Sequence, residues 1–287
     1  MAQLPVPARS EQLYVTHSPS SAPDWKDWLA ALRHTLGMAA RYRDKTPKNP
    51  ARAIHICRAR VKEARALLRL APPSLRETAK ACRNELAAAA RIISAPRDAF
   101  VVSETLKELV KDQDLDIDLR DLPSDLLRGA SGHTNQQQHR VLLQQTASIV
   151  HDVSRRIATW PVTVEDPAYL LEFAEKSWRR ARRAVPDTLA SATPDEMHEF
   201  RKMVITCRYQ TAYFDRHHRI ENSTLELSLE KLRKSLGKLN DLYRLETELF
   251  RFRPGIELDI MNTLLKMMRQ NRKVLKKQIK QSIKQTF

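Results

Sequence analysis

His55, Arg58, Lys62, Arg65 and Arg69 recur at spacings of three, four, three and four residues. At ~100° per residue in a helix these five side chains fall within an arc of roughly 80°. A stripe of guanidinium and ammonium groups does one kind of chemistry well, which is to hold an anion with several charges, since arginine grips phosphate oxygens in bidentate fashion and lysine adds point charge. The opposite side carries Ile54, Cys57, Val61, Ala64, Leu67 and Leu68, with Arg60 the only charge intruding. One face is built for a core and the other for something anionic.

A second copy follows. His198, Arg201 and Arg208 stand to one another as His55, Arg58 and Arg65 do, and 198 − 55, 201 − 58 and 208 − 65 all equal 143. The same step carries Asp98, in the Arg97-Asp98 pair, onto Asp241, in the Asn240-Asp241 pair. A constant period over this distance is the mark of a duplicated unit. The copies differ where Lys62 is matched by Ile205 and Arg69 by Ala212, and Glu63 and Thr206 occupy positions where further basic residues would extend the stripes. The first stripe is therefore the more cationic.

The elements that must position these stripes read as helices throughout. Asp24 caps a helix from Trp25 to about Lys45, whose buried face is Trp25, Trp28, Leu29, Leu32, Leu36 and Ala39. The first stripe follows and stops at Pro72-Pro73, after which Ser74 caps a helix to Ser94 that carries Arg91. Pro96 breaks that helix just before Arg97-Asp98, and a further helix runs to Lys111. The acidic stretch from Asp112 to Leu127 is a surface connection, and a long helix then runs to Thr159. Asp166-Pro167 opens a helix carrying Lys176, Arg179, Arg180 and Arg183. Thr193-Pro194-Asp195-Glu196 starts the second histidine helix. The leucines from Leu225 to Leu249 hold helical spacing through Gly237, on a helix that also bears Lys231, Lys234 and Lys238, and the last helix runs from Ile256 to the end. The organisation expected is a flexible arm over residues 1–23, a first helical bundle over 24–160 and a second over 161–287.

Lys and Arg number 50 against 34 Asp and Glu, for a formal charge of +16. That excess points to a polyanionic partner. The five glycines form no phosphate-cradling loop, and the three cysteines are too far apart for zinc or a disulfide framework, so Cys57, Cys82 and Cys207 read as reduced core thiols. His198-Glu199 lacks the second histidine of a zinc-protease helix, and His217-His218 has no carboxylate or cysteine at ligand spacing. No cofactor, metal or membrane span is expected, and the compartment expected is the cytoplasm. Aromatic content of 6% without rings interleaved among the basic residues makes nucleic acid a weaker alternative partner. A metal-dependent phosphohydrolase would need more histidine and aspartate ligands than can be assembled here.

The two histidine helices, each followed by an Asp-bearing segment, resemble the CHAD family, the α-helical domain named for its histidines, from about Trp25 to the C-terminus. The resemblance rests on His55, Arg58, Lys62 and Arg65, on His198, Arg201 and Lys202 with Arg208-Tyr209 behind them, on Arg97-Asp98 and on LGKLND at Leu236 to Asp241. It implies an all-α fold of two pseudo-symmetric bundles around a central basic groove or pore. It also implies binding of inorganic polyphosphate and association with polyphosphate granules. The chain is expected to be a binder without catalysis, with phosphate, sulfate or another polyanion as further ligands. The expected contacts are then His55, Arg58, Lys62, Arg65, Arg69, His198, Arg201, Lys202, Arg208 and Tyr209, with Arg91, Arg97, Lys176, Arg179, Arg180, Arg183, Lys231, Lys234 and Lys238. Asp98, Asn240 and Asp241 are structural partners. His55 and His198 can contact phosphate or hydrogen-bond between helices, with catalysis a distant third role.

Overall fold

In the computed structural model α1 (Trp25–Ala40) starts at Asp24, whose carboxylate accepts from the Lys26 backbone N–H at 3.0 Å, as its sequence signal requires. The structure describes residues 24–45, 47–111, 119–127, 136–161, 166, 168–218 and 223–287, and the side chains of 95–99, 119, 125, 218 and 223 are not among those described. The N-terminal arm, part of the acidic connection, and the Arg97 and Asp98 side chains thus lie outside what is described. Among the described residues every regular element is helical.

The order is α1, α2 (Pro50–Leu67), α3 (Arg76–Ile92), α4 (Ala95–Lys111), α5 (Ser124–Leu127), α6 (Gln136–Ala158), α7 (Ala168–Arg183), α8 (Pro194–His218), α9 (Ser223–Arg251) and α10 (Leu258–Thr286). Short 3-10 turns cover Arg41–Arg43, Leu68–Leu70 and Pro73–Leu75. Several boundaries differ from expectation: α4 begins at Ala95 and so takes Pro96 into its first turn, α10 begins at Leu258, and two further cases have a local cause. The first helix tightens into a 3-10 turn after Ala40 instead of continuing to Lys45. Ser74 is taken into the turn set up by Pro73, so α3 begins at Arg76 with Leu75 at its N-cap and no side-chain cap. The α8 start matches: Thr193 Oγ1 accepts from the Glu196 N–H at 3.2 Å, and the Glu196 carboxylate accepts from the Thr193 N–H at 2.7 Å.

Burial follows the apolar faces. One core gathers Trp28, Leu32 and Leu36 of α1, Cys57, Val61 and Ala64 of α2, Leu86 of α3, Leu143 and Val150 of α6, Phe173 of α7 and Phe214 of α8. A second gathers Leu106 of α4, Trp178 of α7, Phe200 and Val204 of α8, the leucines of α9, and Leu264, Met268 and Ile279 of α10. The two cores are interleaved along the chain: α4 packs against α9, and α7 and α8 contribute to both cores. Between them α2 lies on α8, where Gln210 Nε2 donates to the Ala66 carbonyl at 3.0 Å. All three cysteines are free and buried, and burial pushes the Cys57 and Cys207 thiols up to about 12.

Adding 143 to Trp25–Ala40 gives 168–183, the bounds of α7. Adding it to the stretch occupied by α3 and α4, 76–111, gives 219–254, which contains α9. The first stretch is interrupted at Ile93-Ser94, ahead of Pro96, whereas α9 passes through the equivalent Leu236-Gly237 unbroken.

Candidate anion-binding site

The turn Leu68–Leu70 ends α2 and places Arg69 beside α3 and α7. It is fastened from below by the Trp28 indole N–H, which donates to the Leu67 carbonyl at 2.9 Å, a carbonyl at the helix end. On α3, Arg76, Lys80 and Arg83 stand at i, i+4 and i+7, and on α7 Lys176 and Arg180 stand at i and i+4. Together with Arg69 they line a cavity of about 350 Å³ whose one acidic lining residue, Glu77, sits 3.6 Å from Lys80. Phe173 forms part of its wall, with the Arg76 guanidinium 5.4 Å and the Lys176 ammonium 5.0 Å from its ring centroid.

Further along the same side are Arg65 and Arg91. Burial pulls the Arg65 guanidinium below the ordinary arginine value, and the charges of Arg69 and Arg91 pull it further. Burial followed by Arg180 does the same to Arg69, and burial followed by Arg69, Arg65 and Arg180 does so to Arg83. All remain cations at neutral pH. Among the described residues none of Arg65, Arg69, Arg83, Arg91 and Arg180 has a carboxylate within 4.0 Å, and the buried Arg65 Nε has no hydrogen-bond partner. Unneutralised, partly desolvated like charges are costly unless an anion joins them.

The other end of the first stripe is used differently. Arg58 Nη1 donates to the carbonyls of Ala90 and Ile93, each at 3.3 Å, and to Ser94 Oγ, so this arginine closes the C-terminus of α3. His55 is exposed and Lys62 half-buried.

The second stripe differs in the acidic and amide groups that stand beside it. His198 Nδ1 lies 3.2 Å from Asn240 Oδ1. Arg201 lies flat over Gly237, where a Cβ would stand 3.4 Å from its Nη2. Since 58 + 143 = 201 and 94 + 143 = 237, Arg58 on Ser94 and Arg201 on Gly237 are equivalent contacts. Arg208 Nε lies 2.7 Å from Glu230 Oε2 and Nη2 lies 3.9 Å from Glu226, with its guanidinium 5.1 Å from the Tyr209 ring centroid. Arg233 grips Glu230 through two hydrogen bonds of 2.7 and 2.6 Å, and Lys234 lies 3.8 Å away. Burial acts to raise the Glu230 carboxyl, but the Arg233 hydrogen bonds and the charges of Arg208, Arg233 and Lys234 hold it below the usual range. Because 83 + 143 = 226, the position that presents Arg83 to the first stripe presents Glu226 to the second. Ala212, the counterpart of Arg69, is buried, and Ile205 is half-buried.

The remaining cations expected at the site are dispersed. Lys202 pairs with Glu199 at 2.5 Å and Arg179 with Glu175 at 2.9 Å, while Lys176 also pairs with Glu172. Arg183 Nε donates to the Arg179 carbonyl at 3.3 Å, and Lys231 is exposed. Lys238 and Asp241 line a separate cavity of about 210 Å³ between α4, α9 and α10. Reading the stripes missed Arg76, Lys80 and Arg83, although their own i, i+4, i+7 spacing on α3 was a signal of the same kind. Among the described residues no three His, Cys, Asp or Glu side chains are gathered as metal ligands, and no helix is long and apolar enough to cross a membrane.

The fold disfavours the protonated form of three histidines. Burial is the leading cause at His198, with Lys202 adding to it, and burial likewise lowers His139 and His217. Each group binds its proton more readily in the unfolded chain, so stability is present above the unfolded value near 6.5 and falls as pH drops through it. Thermal melts at pH 7.5 and 5.5 are expected to show a lower midpoint at pH 5.5, with a smaller drop in His198→Gln. An equal drop in that variant would show that His198 does not contribute.

Compared with known proteins, the chain matches the CHAD domain model over residues 27–249. No curated protein and no solved structure matches it. The matched span holds both histidine helices, the cationic cavity and the Glu230 network, and on that span the chain belongs to the CHAD-domain family.

Proposed function

We propose that this protein binds inorganic polyphosphate, and that the anion is held chiefly by the cluster of Arg65, Arg69, Arg83, Arg91 and Arg180, with Arg76, Lys80 and Lys176 at its mouth. The observation that carries this reading is the contrast between the halves. Equivalent positions surround Arg208 with Glu226 and Glu230 but leave Arg65 and Arg69 facing further arginines. A phosphate chain, with roughly one charge per unit and no bases, is matched by closely set guanidinium groups and needs no stacking platform.

The coincidence of element bounds at a step of 143, and the paired Arg58–Ser94 and Arg201–Gly237 contacts, support two bundles descended from one duplicated unit. On this reading the second half is mainly the structural partner of the first, and the basic groove is lopsided toward α3 and α7. The protein acts as a binder without turnover and accompanies polyphosphate in granules.

Titration with long-chain polyphosphate across a series of salt concentrations tests this. Each neutralised phosphate releases counterions, so six contacts give a slope of log K against log salt of about −4. A flat plot would overturn the assignment.

A further inference from the structure

The last helix carries a row of charge that the cavity does not use. On α10, Lys266, Arg269, Lys273, Lys277, Lys280 and Lys284 are all exposed and fall within an arc of roughly 80° over about 27 Å. The one acid in α10 is Asp259, ahead of the row, and among the described residues none of the six has a carboxylate within 4.0 Å. The inward cations of the same helix are consumed structurally: Arg272 grips Glu246 through bonds of 2.6 and 2.8 Å, and Lys276 donates to the Ala190 carbonyl at 2.9 Å.

A helix face that needs only to be soluble can alternate its signs, as α7 does with Lys176 against Glu172 and Arg179 against Glu175. On α10 Arg269, Lys273 and Lys277 succeed one another at four-residue steps, as do Lys280 and Lys284, and such like-charge pairs destabilise a helix. The row persists against that cost, on a helix whose other face is locked to the core by Leu264, Met268, Leu275 and Ile279.

We infer that the outer face of α10 is a second polyanion site, and that its ligand is double-stranded nucleic acid bound through its phosphates without sequence preference. A continuous helical ridge of cations suits a stiff polyanion: a duplex carries one charge per about 1.7 Å of axis and loses little conformational freedom on docking, whereas a flexible phosphate chain must first be straightened. No aromatic residue occurs in α10, which removes the stacking platform that single strands require. Five of the six cations are lysines, point charges on flexible stems that suit a phosphate backbone and lack the planar fork of arginine.

The test uses the full-length chain, a labelled 20-base-pair duplex of mixed sequence, and long-chain polyphosphate, each at 50 mM salt. The variant Lys273→Gln/Lys277→Gln/Lys280→Gln keeps helix propensity. It is expected to bind duplex at least tenfold more weakly, with a salt slope shallower by about 2.7, and polyphosphate within threefold of wild type. Arg69→Ala/Arg83→Ala/Arg180→Ala is expected to behave conversely, so loss of polyphosphate binding alone would touch the cavity and not α10. The inference is overturned if wild type fails to bind the duplex, if the lysine variant binds it as wild type does, or if these lysines bind phosphatidylserine vesicles and not duplex.

Discussion

Arg69→Ala/Arg83→Ala/Arg180→Ala is expected to weaken polyphosphate binding about a hundredfold. Charge-assisted contacts are worth about 1.5–3 kcal/mol when well desolvated, and a discount to about 1 kcal/mol each for these partly exposed groups leaves about 3 kcal/mol, or roughly two powers of ten. The salt slope should become shallower by about 2, because three fewer counterions are released. Melting should not suffer, since Arg69 and Arg83 are held close to other cations with no described carboxylate within 4.0 Å, the Glu77 charge acting on Arg83 only from further off, and their removal relieves repulsion. Arg208→Ala provides the contrast. Its guanidinium is already engaged by Glu230, which keeps Arg233 as a partner, so affinity should change less than about threefold. Isothermal titration of both variants decides the matter. Wild-type affinity in the folded triple variant, or a larger loss in Arg208→Ala, would move the site to the second half.

The largest loss of stability is expected at Trp28. Its ring is 2% exposed, meets Trp25 edge-on at 5.7 Å between centroids and stacks on Trp160 at 6.3 Å. Trp28→Ala should cost about 3–5 kcal/mol from lost burial and the cavity left behind, with a further ~1 kcal/mol for the Leu67 carbonyl deprived of its donor. At about 2–4 °C per kcal/mol the midpoint falls by roughly 10 °C or more. Trp28→Phe keeps most of the ring and loses the hydrogen bond, so it should cost about 1–2 kcal/mol. The same bond steadies the turn that carries Arg69, and Trp28→Ala should therefore also weaken polyphosphate binding well below its melting temperature. A melt within about 3 °C of wild type would remove Trp28 as the fastening of that turn.

The sequence by itself determined the helices, their signals and their faces. Asp24 and the Thr193-Glu196 pair cap because a short side-chain oxygen at that position meets free backbone N–H groups of the helix it opens. Ile54, Cys57, Val61, Ala64, Leu67 and Leu68 are buried as their spacing requires, and so are the leucines of α9 from Leu229 to Leu249. The basic side of α2 was equally legible, as was the poorer stripe of α8. What only the tertiary structure decided is which charges stand opposite which. The spacing of a helix tells which side chains share a face, but the neighbour of that face is chosen by packing between residues far apart in the chain. So packing brought Arg69 to Arg180 across the fold and Arg58 to the end of α3, and set Arg65 near Arg91 but Arg208 against Glu230. Two stripes alike in sequence thereby became one neutralised contact and one cluster of cations left open to an anion.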